Sequence, residues 1–361
     1  MNWQNGLTQL LGITYPIIQA PMLGVTTPEM VAAVSNLGGL GSLPVGGLSP
    51  EKTLALIKKT KSLTQRPFAV NLFAHDVPTD ASAFAHAQSM AEYLEELAQK
   101  HSVAFQSQPI SDFQFYSYRD QVQVLLDEQI QIVSFTFGIL ADEIIALFKE
   151  KGVVLIGTAT CVKEAQILEE KGVDAITAQG IEAGGHRGSF LADVELPQIG
   201  SIALIPQMAD QVSIPILASG GINDGRTIRA AFILGAAAVQ IGTAFIASSE
   251  SSAIPAYKAA LKVAKDTDTV LTRNFSGRFA RGIQNEFMRE VDVEVKQSGR
   301  IIPQYPIQNS LTTALRAESQ KQNNAQFTNL WSGQSVYRGT GVSSADVFND
   351  LVRQTEQLKS F

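Results

Sequence analysis

Residues 214–243, IPILASGGINDGRTIRAAFILGAAAVQIGT, constrain the fold of this chain more than any other segment. A short apolar run, Ile214–Ala218, carries a proline at its second position and is broken by Ser219-Gly220-Gly221. Ile228, Ala231, Phe232 and Gly235 then recur at i, i+3, i+4 and i+7, which predicts a helix over Asp224–Leu234 with one packed face. Ala237–Ile241 is a second apolar run, and Gly242-Thr243 is a second turn. Strand, turn, helix, strand is a βαβ unit with parallel strands. Its glycines read in two ways. They serve tight turns, or they let backbone N–H groups approach a phosphate that a Cβ would hinder. Two such turns at neighbouring strand ends favour the phosphate.

Eight apolar runs of strand length follow one another: Pro16–Ala20, Leu40–Leu43, Phe68–Leu72, Ile132–Phe137, Val153–Ala159, Ala175–Gln179, Ile214–Ala218 and Ala237–Ile241. Helical patterns separate most of them. Thr27-Pro28 and Ser49-Pro50 pair a capping hydroxyl with proline at the first helical position. Gly172 stops a helix over Val162–Lys171. Alternating strands and helices imply a parallel sheet, and eight strands imply a closed (β/α)8 TIM barrel, an α/β fold. In such barrels the phosphate site lies after the seventh and eighth strands. The rival, an open dinucleotide-binding sheet, lacks its GxGxxG: the first strand runs into Pro21-Met22-Leu23-Gly24.

The expected organisation is a barrel over residues 1–250, a helical subdomain over 251–335 and a closing helix within 336–361. An excursion over residues 74–131, far longer than a usual βα loop, holds a helix near Ala83–Lys100 and the aromatic stretch 113–118. Its length suits a cover over the C-terminal face. After Ser248 the strand pattern ends. Ile254–Lys265 and Ser310–Glu318 read as helices, and Ser344–Leu358 as an amphipathic one with Val347, Phe348, Leu351 and Val352 on one face.

Composition narrows the partners. The chain has 361 residues, 45% hydrophobic and 17% charged, enough for a barrel and a further region. A net charge of −6 without a basic cluster disfavours nucleic acid. One cysteine, Cys161, excludes an internal disulfide and reads as a structural thiol. The four histidines, at 75, 86, 101 and 186, form no i, i+4 pair, so a histidine-based metal site is not expected. No leader pattern and no membrane-spanning run is visible, and the expected setting is soluble and cytoplasmic.

Functional residues of a barrel sit at C-terminal strand ends. Asn71, Gln179 and Gln240 occupy three of them. Each amide offers donors and an acceptor, a combination that suits the mixed edge of a flavin ring.

QAPMLGV (19–25), AAVSNLGGLGS (32–42), RPFAVNLF (66–73), AQGIEAGGHRGSF (178–190), ASGGINDGRTIRAAFILGAAAVQIGTAF (218–245) and SGRFARG (276–282) together resemble the FMN-dependent nitronate monooxygenases, formerly 2-nitropropane dioxygenases. The likeness runs through the whole chain and is strongest to the bacterial class I branch. It implies that Pro21, Met22, Asn71, Gln179, Gly184, Gly221, Gln240, Gly242 and Thr243 hold FMN, with Gly220 in the same turn. It implies a substrate pocket that includes Tyr116, Tyr257 and Tyr305.

The departures lie on the substrate side. The family's Ser-Phe-His-Phe-Gly, whose histidine the resemblance makes the proton-abstracting base, reads Ser134-Phe135-Thr136-Phe137-Gly138 here. A threonine hydroxyl does not ionise near neutral pH. His186, in Gly184-Gly185-His186-Arg187-Gly188, either structures its loop beside the flavin or serves as a replacement base. The family's tyrosine and lysine after Tyr-Pro become Asn309 and Thr313. Arg187 is expected near an anion or in solvent, and Arg278 either at the barrel mouth or only in its turn.

The expected activity is oxidation of nitronates by dioxygen through FMN. Lacking the histidine, the chain should use neutral nitroalkanes poorly. Lacking the lysine, it should lose a cation for carboxylated nitronates. The alternatives are an NAD(P)H-dependent flavin reductase acting on quinones or an enoyl thioester, and a flavin-binding protein without turnover. Substrate, electron donor and oligomeric state stay open.

Overall fold

The computed structural model describes residues 2–78, 80–191, 196–336 and 342–358. In chain order the first nine strands are β1 (Ile17–Gln19), β2 (Gly41–Pro44), β3 (Phe68–Phe73), β4 (Ile132–Thr136), β5 (Val154–Ala159), β6 (Ala175–Gln179), β7 (Gly185–His186), β8 (Ile216–Ser219) and β9 (Ala238–Ile241). All but β7 form one parallel sheet in the order β1-β9-β8-β6-β5-β4-β3-β2. A parallel bridge between Ile18 and Leu40 joins its two ends, so the sheet closes into a (β/α)8 barrel.

Each of the eight expected runs overlaps one barrel strand, with β2, β3 and β8 reaching one residue beyond it. The run Ile132–Phe137 loses its last residue because Phe137 turns to φ +79°, a left-handed conformation that ends β4. The first residues of the strands pack with Leu7, Leu11 and Ile13 into one cluster, so the helix Gly6–Leu11 plugs the N-terminal end. The C-terminal end is left for function.

The capping hydroxyls act as expected. Thr27 and Ser49 accept hydrogen bonds from the amides of Met30 and Lys52 and start the helices Pro28–Asn36 and Pro50–Leu63. The helix Ser344–Gln357 packs on Gly225–Ile233 and on Pro28–Asn36. A Cβ on Gly225 would lie 2.4 Å from the Gln354 backbone, so glycine is what lets these helices meet. The rest of the expected closing segment, residues 337–341 and 359–361, lies outside the described residues.

The expectation that strands end at Ser248 is corrected. Beyond it lie β10 (Thr269–Thr272) and β11 (Ala280–Ile283), an antiparallel pair. Ser276-Gly277-Arg278 belongs to their connection. β11 also pairs with β7, matching Ala280 to His186 and Arg281 to Gly185. These strands are short and half polar, so they leave no apolar run to read. The helix Glu286–Ser298 was also missed, although Phe287, Met288 and Val291 keep helical spacing after the cap Asn285.

The excursion and the C-terminal region share one core. Met90, Leu94 and Leu97 of the helix Ala87–Lys100 cluster with Phe287, Val291, Leu311 and Leu315. The remainder of the excursion returns to the barrel mouth, where Gln108 and residues 112–116 line the cavity described next.

Candidate active site

A cavity of about 870 Å³ opens at the C-terminal ends of the strands, between the barrel and the C-terminal region. That volume is within the usual range for a small-molecule or cofactor site. Every site residue singled out in the sequence, from Pro21 to Thr313, lines it.

One pole is built from backbone. Gly220 and Gly221 after β8 take φ of +105° and +72°, which a side chain disfavours. The amides of Gly221, Ile222, Gly242 and Thr243 have no acceptor among the described residues, and all four residues line the cavity. Four half-buried amides facing one cavity without acceptors make a site suited to an anionic ligand. A Cβ on Gly221 would meet only Glu182, at 3.6 Å, so the space before these amides is open. The Glu182 carboxylate is itself spent on Ser201, whose amide donates to it at 2.8 Å. Gly184 answers to a different constraint: a Cβ there would lie 2.5 Å from the amide nitrogen of Gly333.

The three strand-end amides separate. Gln240 has no side-chain partner among the described residues and is free for a ligand. Asn71 donates to Ser134 Oγ at 2.9 Å and keeps its oxygen free. Gln179 is partly engaged, its nitrogen donating one hydrogen to the His186 carbonyl (2.9 Å) and its oxygen accepting from the Gly188 amide (2.8 Å). Gln179 thereby braces the loop that carries His186 and still lines the cavity with one amide hydrogen to spare. Arg187 departs further from its expected place. It is fully buried, away from solvent, and donates to the carbonyls of Gly180 (2.6 Å) and Gln179 (3.1 Å), with the Glu164 and Glu182 carboxylates nearby.

The centre of the cavity is aromatic. The Phe137 ring lies 4.3 Å from Phe73, 5.4 Å from Tyr305 and 5.3 Å from His186, centroid to centroid. Its left-handed backbone is strain held at a functional site. Thr136 lines the cavity with an Oγ1 that has no partner among the described residues. A Cβ on Gly188 would lie 2.8 Å from that Oγ1, so glycine lets the His186 loop close on β4.

His186 Nε2 lies 2.8 Å from Ser276 Oγ, whose own hydrogen goes to the Arg278 carbonyl at 3.1 Å. Nε2 is thus the donor, and Nδ1 keeps its lone pair. Burial, then the charges of Arg278 and Arg316, push the imidazolium pKa down to about 3, so His186 is neutral. Burial pushes the Tyr305 phenol up, keeping it neutral too.

Arg278 does not line the cavity. Its guanidinium sits 4.4 Å over the Phe137 ring and donates to the carbonyls of Arg187 (3.2 Å) and Ser189. The outer wall comes from the helix Ile307–Lys321, which presents Asn309, Thr313 and Arg316. Although the expected lysine is missing, two cations line the cavity: Lys52 from the helix Pro50–Leu63 and, on this wall, Arg316. It donates to Asn309 Oδ1 at 2.9 Å and Thr313 Oγ1 at 3.0 Å, and burial lowers its pKa only to about 10. Tyr116 and Tyr257 complete the wall, the latter donating to the Trp331 carbonyl.

Sequence reasoning also passed over His75. It lies two residues past β3, and its Nδ1 is 3.2 Å from the Phe73 carbonyl. The strand-end rule that found Asn71 would have reached it. Arg316 was legible too, one helical turn after Thr313 on the same face. Away from the cavity, His101, Glu286 and Glu290 gather at the surface, where Lys100 pairs with Glu290 at 2.8 Å.

A family model described as nitronate monooxygenase matches residues 4–354. A probable nitronate monooxygenase of Staphylococcus saprophyticus is 43% identical over 365 residues, covering 99% of each chain. One from Staphylococcus aureus is 40% identical over 360 residues, again with 99% coverage of both. Among solved structures, a nitroalkane oxidase from Streptomyces ansochromogenes superposes with TM-score 0.86 at 34% identity, covering 98% of each chain. FabK from Thermotoga maritima superposes with TM-score 0.73 at 26% identity, covering 98% of this chain and 96% of the other.

Proposed function

The chain belongs to the nitronate monooxygenase family and is an oxidoreductase; on that premise we propose that it binds FMN and oxidises nitronates with dioxygen. The observation that carries the reading is the set of four unpaired amides at Gly221, Ile222, Gly242 and Thr243, beside a neutral histidine. They suit one phosphate, and the first strand lacks the dinucleotide fingerprint. Bound FMN would supply the electron acceptor that takes electrons from the substrate and passes them to dioxygen.

The chain's own residues do the rest. Gln240 and the free oxygen of Asn71 meet the polar edge of the ring. Phe73, Phe137 and Tyr305 exclude water from the reacting centre. A nitronate is already deprotonated and needs no base. A neutral nitroalkane does, and Thr136 cannot serve. His186 Nδ1 is the proton acceptor at hand. Its low basicity comes partly from Arg278 and Arg316, and an anion bound near them raises it.

The test is direct. The purified protein should be yellow, release FMN on denaturation and consume oxygen with ethylnitronate. Colourless protein that takes up no FMN, or release of FAD, defeats the cofactor assignment. The FabK likeness keeps one rival in view: if NADH or NADPH bleaches the flavin anaerobically and nitronates do not, the protein is a flavin reductase. Among the described residues no helix is long and apolar enough to cross a membrane, and we assign the protein to the cytoplasm, where its one free cysteine stays reduced.

A further inference from the structure

We propose that Ser276 is a positioning residue for His186: it holds the imidazole proton on Nε2 and so keeps Nδ1 bare toward the substrate. Nε2 lies 2.8 Å from Ser276 Oγ, and no other polar group among the described residues bonds the ring. The hydroxyl is itself fixed. Its hydrogen goes to the Arg278 carbonyl at 3.1 Å, and its oxygen also faces the Arg278 amide at 3.3 Å. A hydroxyl whose hydrogen is taken can only accept from Nε2–H. Nδ1 has no partner among the described residues and is not sealed from the cavity that His186 lines. The charged side chains near the ring, Arg278 and Arg316, are donors only and give Nε2 no rival acceptor.

The fold fixes Ser276 in this place. The connection between β10 and β11 turns at Gly277, with φ +80°, and the Ser276 and Gly277 amides both donate to the Arg273 carbonyl, at 3.2 and 2.7 Å. A Cβ on Gly277 would press on the Pro303 carbonyl and lie 2.6 Å from the Tyr305 amide nitrogen, so glycine lets the turn sit against the segment that delivers Tyr305. β11 pairs Ala280 with His186, and the Arg187 amide donates to the Phe279 carbonyl at 2.8 Å. One connection therefore holds both the backbone of His186 and its ring. Trp331 and Phe137 pack on that ring, at 5.6 and 5.3 Å between centroids, and oppose a flip that would exchange its nitrogens. Ser276 is buried and lies outside the cavity lining, so it acts through His186 and not on the substrate.

The chemical effect of Ser276 rests on the nitronate reading. When a neutral nitroalkane is deprotonated, its Cα–H bond breaks, the electron pair stays on the nitronate and the proton goes to Nδ1. The imidazolium so formed keeps its Nε2–H on Ser276 Oγ, and the ring needs no rearrangement. With the proton on Nδ1 from the start, the ring would present a donor to the substrate carbon and could accept nothing there.

The tautomer can be read by NMR from the ring nitrogens of His186 in FMN-loaded protein carrying nitrogen-labelled histidine, with His186→Gln identifying the signals. Wild-type protein should hold the proton on Nε2, and Ser276→Ala should move it to Nδ1. Ser276→Thr and Ser276→Val share one shape and differ by the hydroxyl, so any strain is common to both. Ser276→Thr should keep the wild-type tautomer and Ser276→Val should lose it, at equal melting temperature and flavin content. The ratio of kcat for nitroethane to that for ethylnitronate should be roughly ten- to a hundredfold lower in Ser276→Val than in Ser276→Thr, the scale of leaving a buried donor without an acceptor. A wild-type proton on Nδ1 overturns the proposal. So does a Ser276→Val protein that matches Ser276→Thr in either tautomer or ratio. If wild-type protein turns over ethylnitronate and not nitroethane, the reading of His186 as a base fails; if it turns over neither, the nitronate reading fails. In both cases the ring nitrogens still decide Ser276.

Discussion

The two poles of the cavity are built from different materials. The glycine pole is backbone: its donors are the amides at Gly221, Ile222, Gly242 and Thr243, set by strand ends and by φ values that glycine allows. The opposite wall is side chain: Tyr116, Tyr257, Tyr305, Asn309, Thr313 and Arg316, drawn from an excursion and a C-terminal region that share a core of their own. A backbone site is fixed once the strands are in register. A side-chain wall is rebuilt by single substitutions. That division of material suits a first pole that binds a common cofactor and a second that fits a particular substrate.

The comparison breaks most readily at His186, which bridges the two. His186→Asn should lower turnover of neutral nitroalkanes by about 10²–10⁴-fold, the usual contribution of a general base. Preformed nitronates should lose far less. Oxygen-electrode assays on nitroethane and ethylnitronate separate the outcomes, and equal losses on both would assign His186 to positioning alone.

Gly221→Val tests the backbone pole. A β-branched residue at φ +72° costs on the order of 1–2 kcal/mol, and its side chain stands where a phosphate approaches. FMN affinity should fall by at least about tenfold, read as flavin-to-protein ratio after dialysis, while kcat of the molecules that keep flavin stays near wild type.

Acid stability sharpens the picture of the centre. His186 is neutral in the fold, with a pKa of about 3 against an ordinary 6.5. Below 6.5 the unfolded chain takes up a proton that the folded chain refuses, so stability is complete above that pH and falls as pH drops toward 3. His186→Gln should flatten part of that decline in melting temperature. An unchanged pH profile would mean that the imidazole is protonated in the fold.

The smallest effect belongs to Thr136. Its hydroxyl has no partner among the described residues and cannot act as a base. Thr136→Val should change kcat/KM for ethylnitronate by no more than about threefold, the scale of a weak surface-like contact. A large loss would give the hydroxyl a role in the reaction.

Legibility followed the same division. The barrel strands were readable because burial on both faces forces continuous apolar runs, and Ala175–Gln179 matches β6 residue for residue. β10 and β11 were not, because a short hairpin whose buried positions include Thr269, Thr272 and Arg281 carries no apolar run. Asn71, Gln179 and Gln240 look alike in sequence, each a polar residue at or near the C-terminal end of a strand. Only the fold separates a Gln179 that braces its own loop from a Gln240 with no side-chain partner among the described residues.

By itself the sequence determined the barrel strands, the glycine turns and the residue identities at 136, 309 and 313, since these follow from local periodicity, backbone freedom and composition. Tertiary structure decided the charge of the pocket. Arg316 and Thr313 are plain helix residues until the helix Ile307–Lys321 is laid against the barrel mouth. His186 is an ordinary imidazole until burial and two nearby guanidiniums hold it neutral. Desolvation and Coulomb forces act through space, between residues far apart in the chain, and no local pattern encodes them.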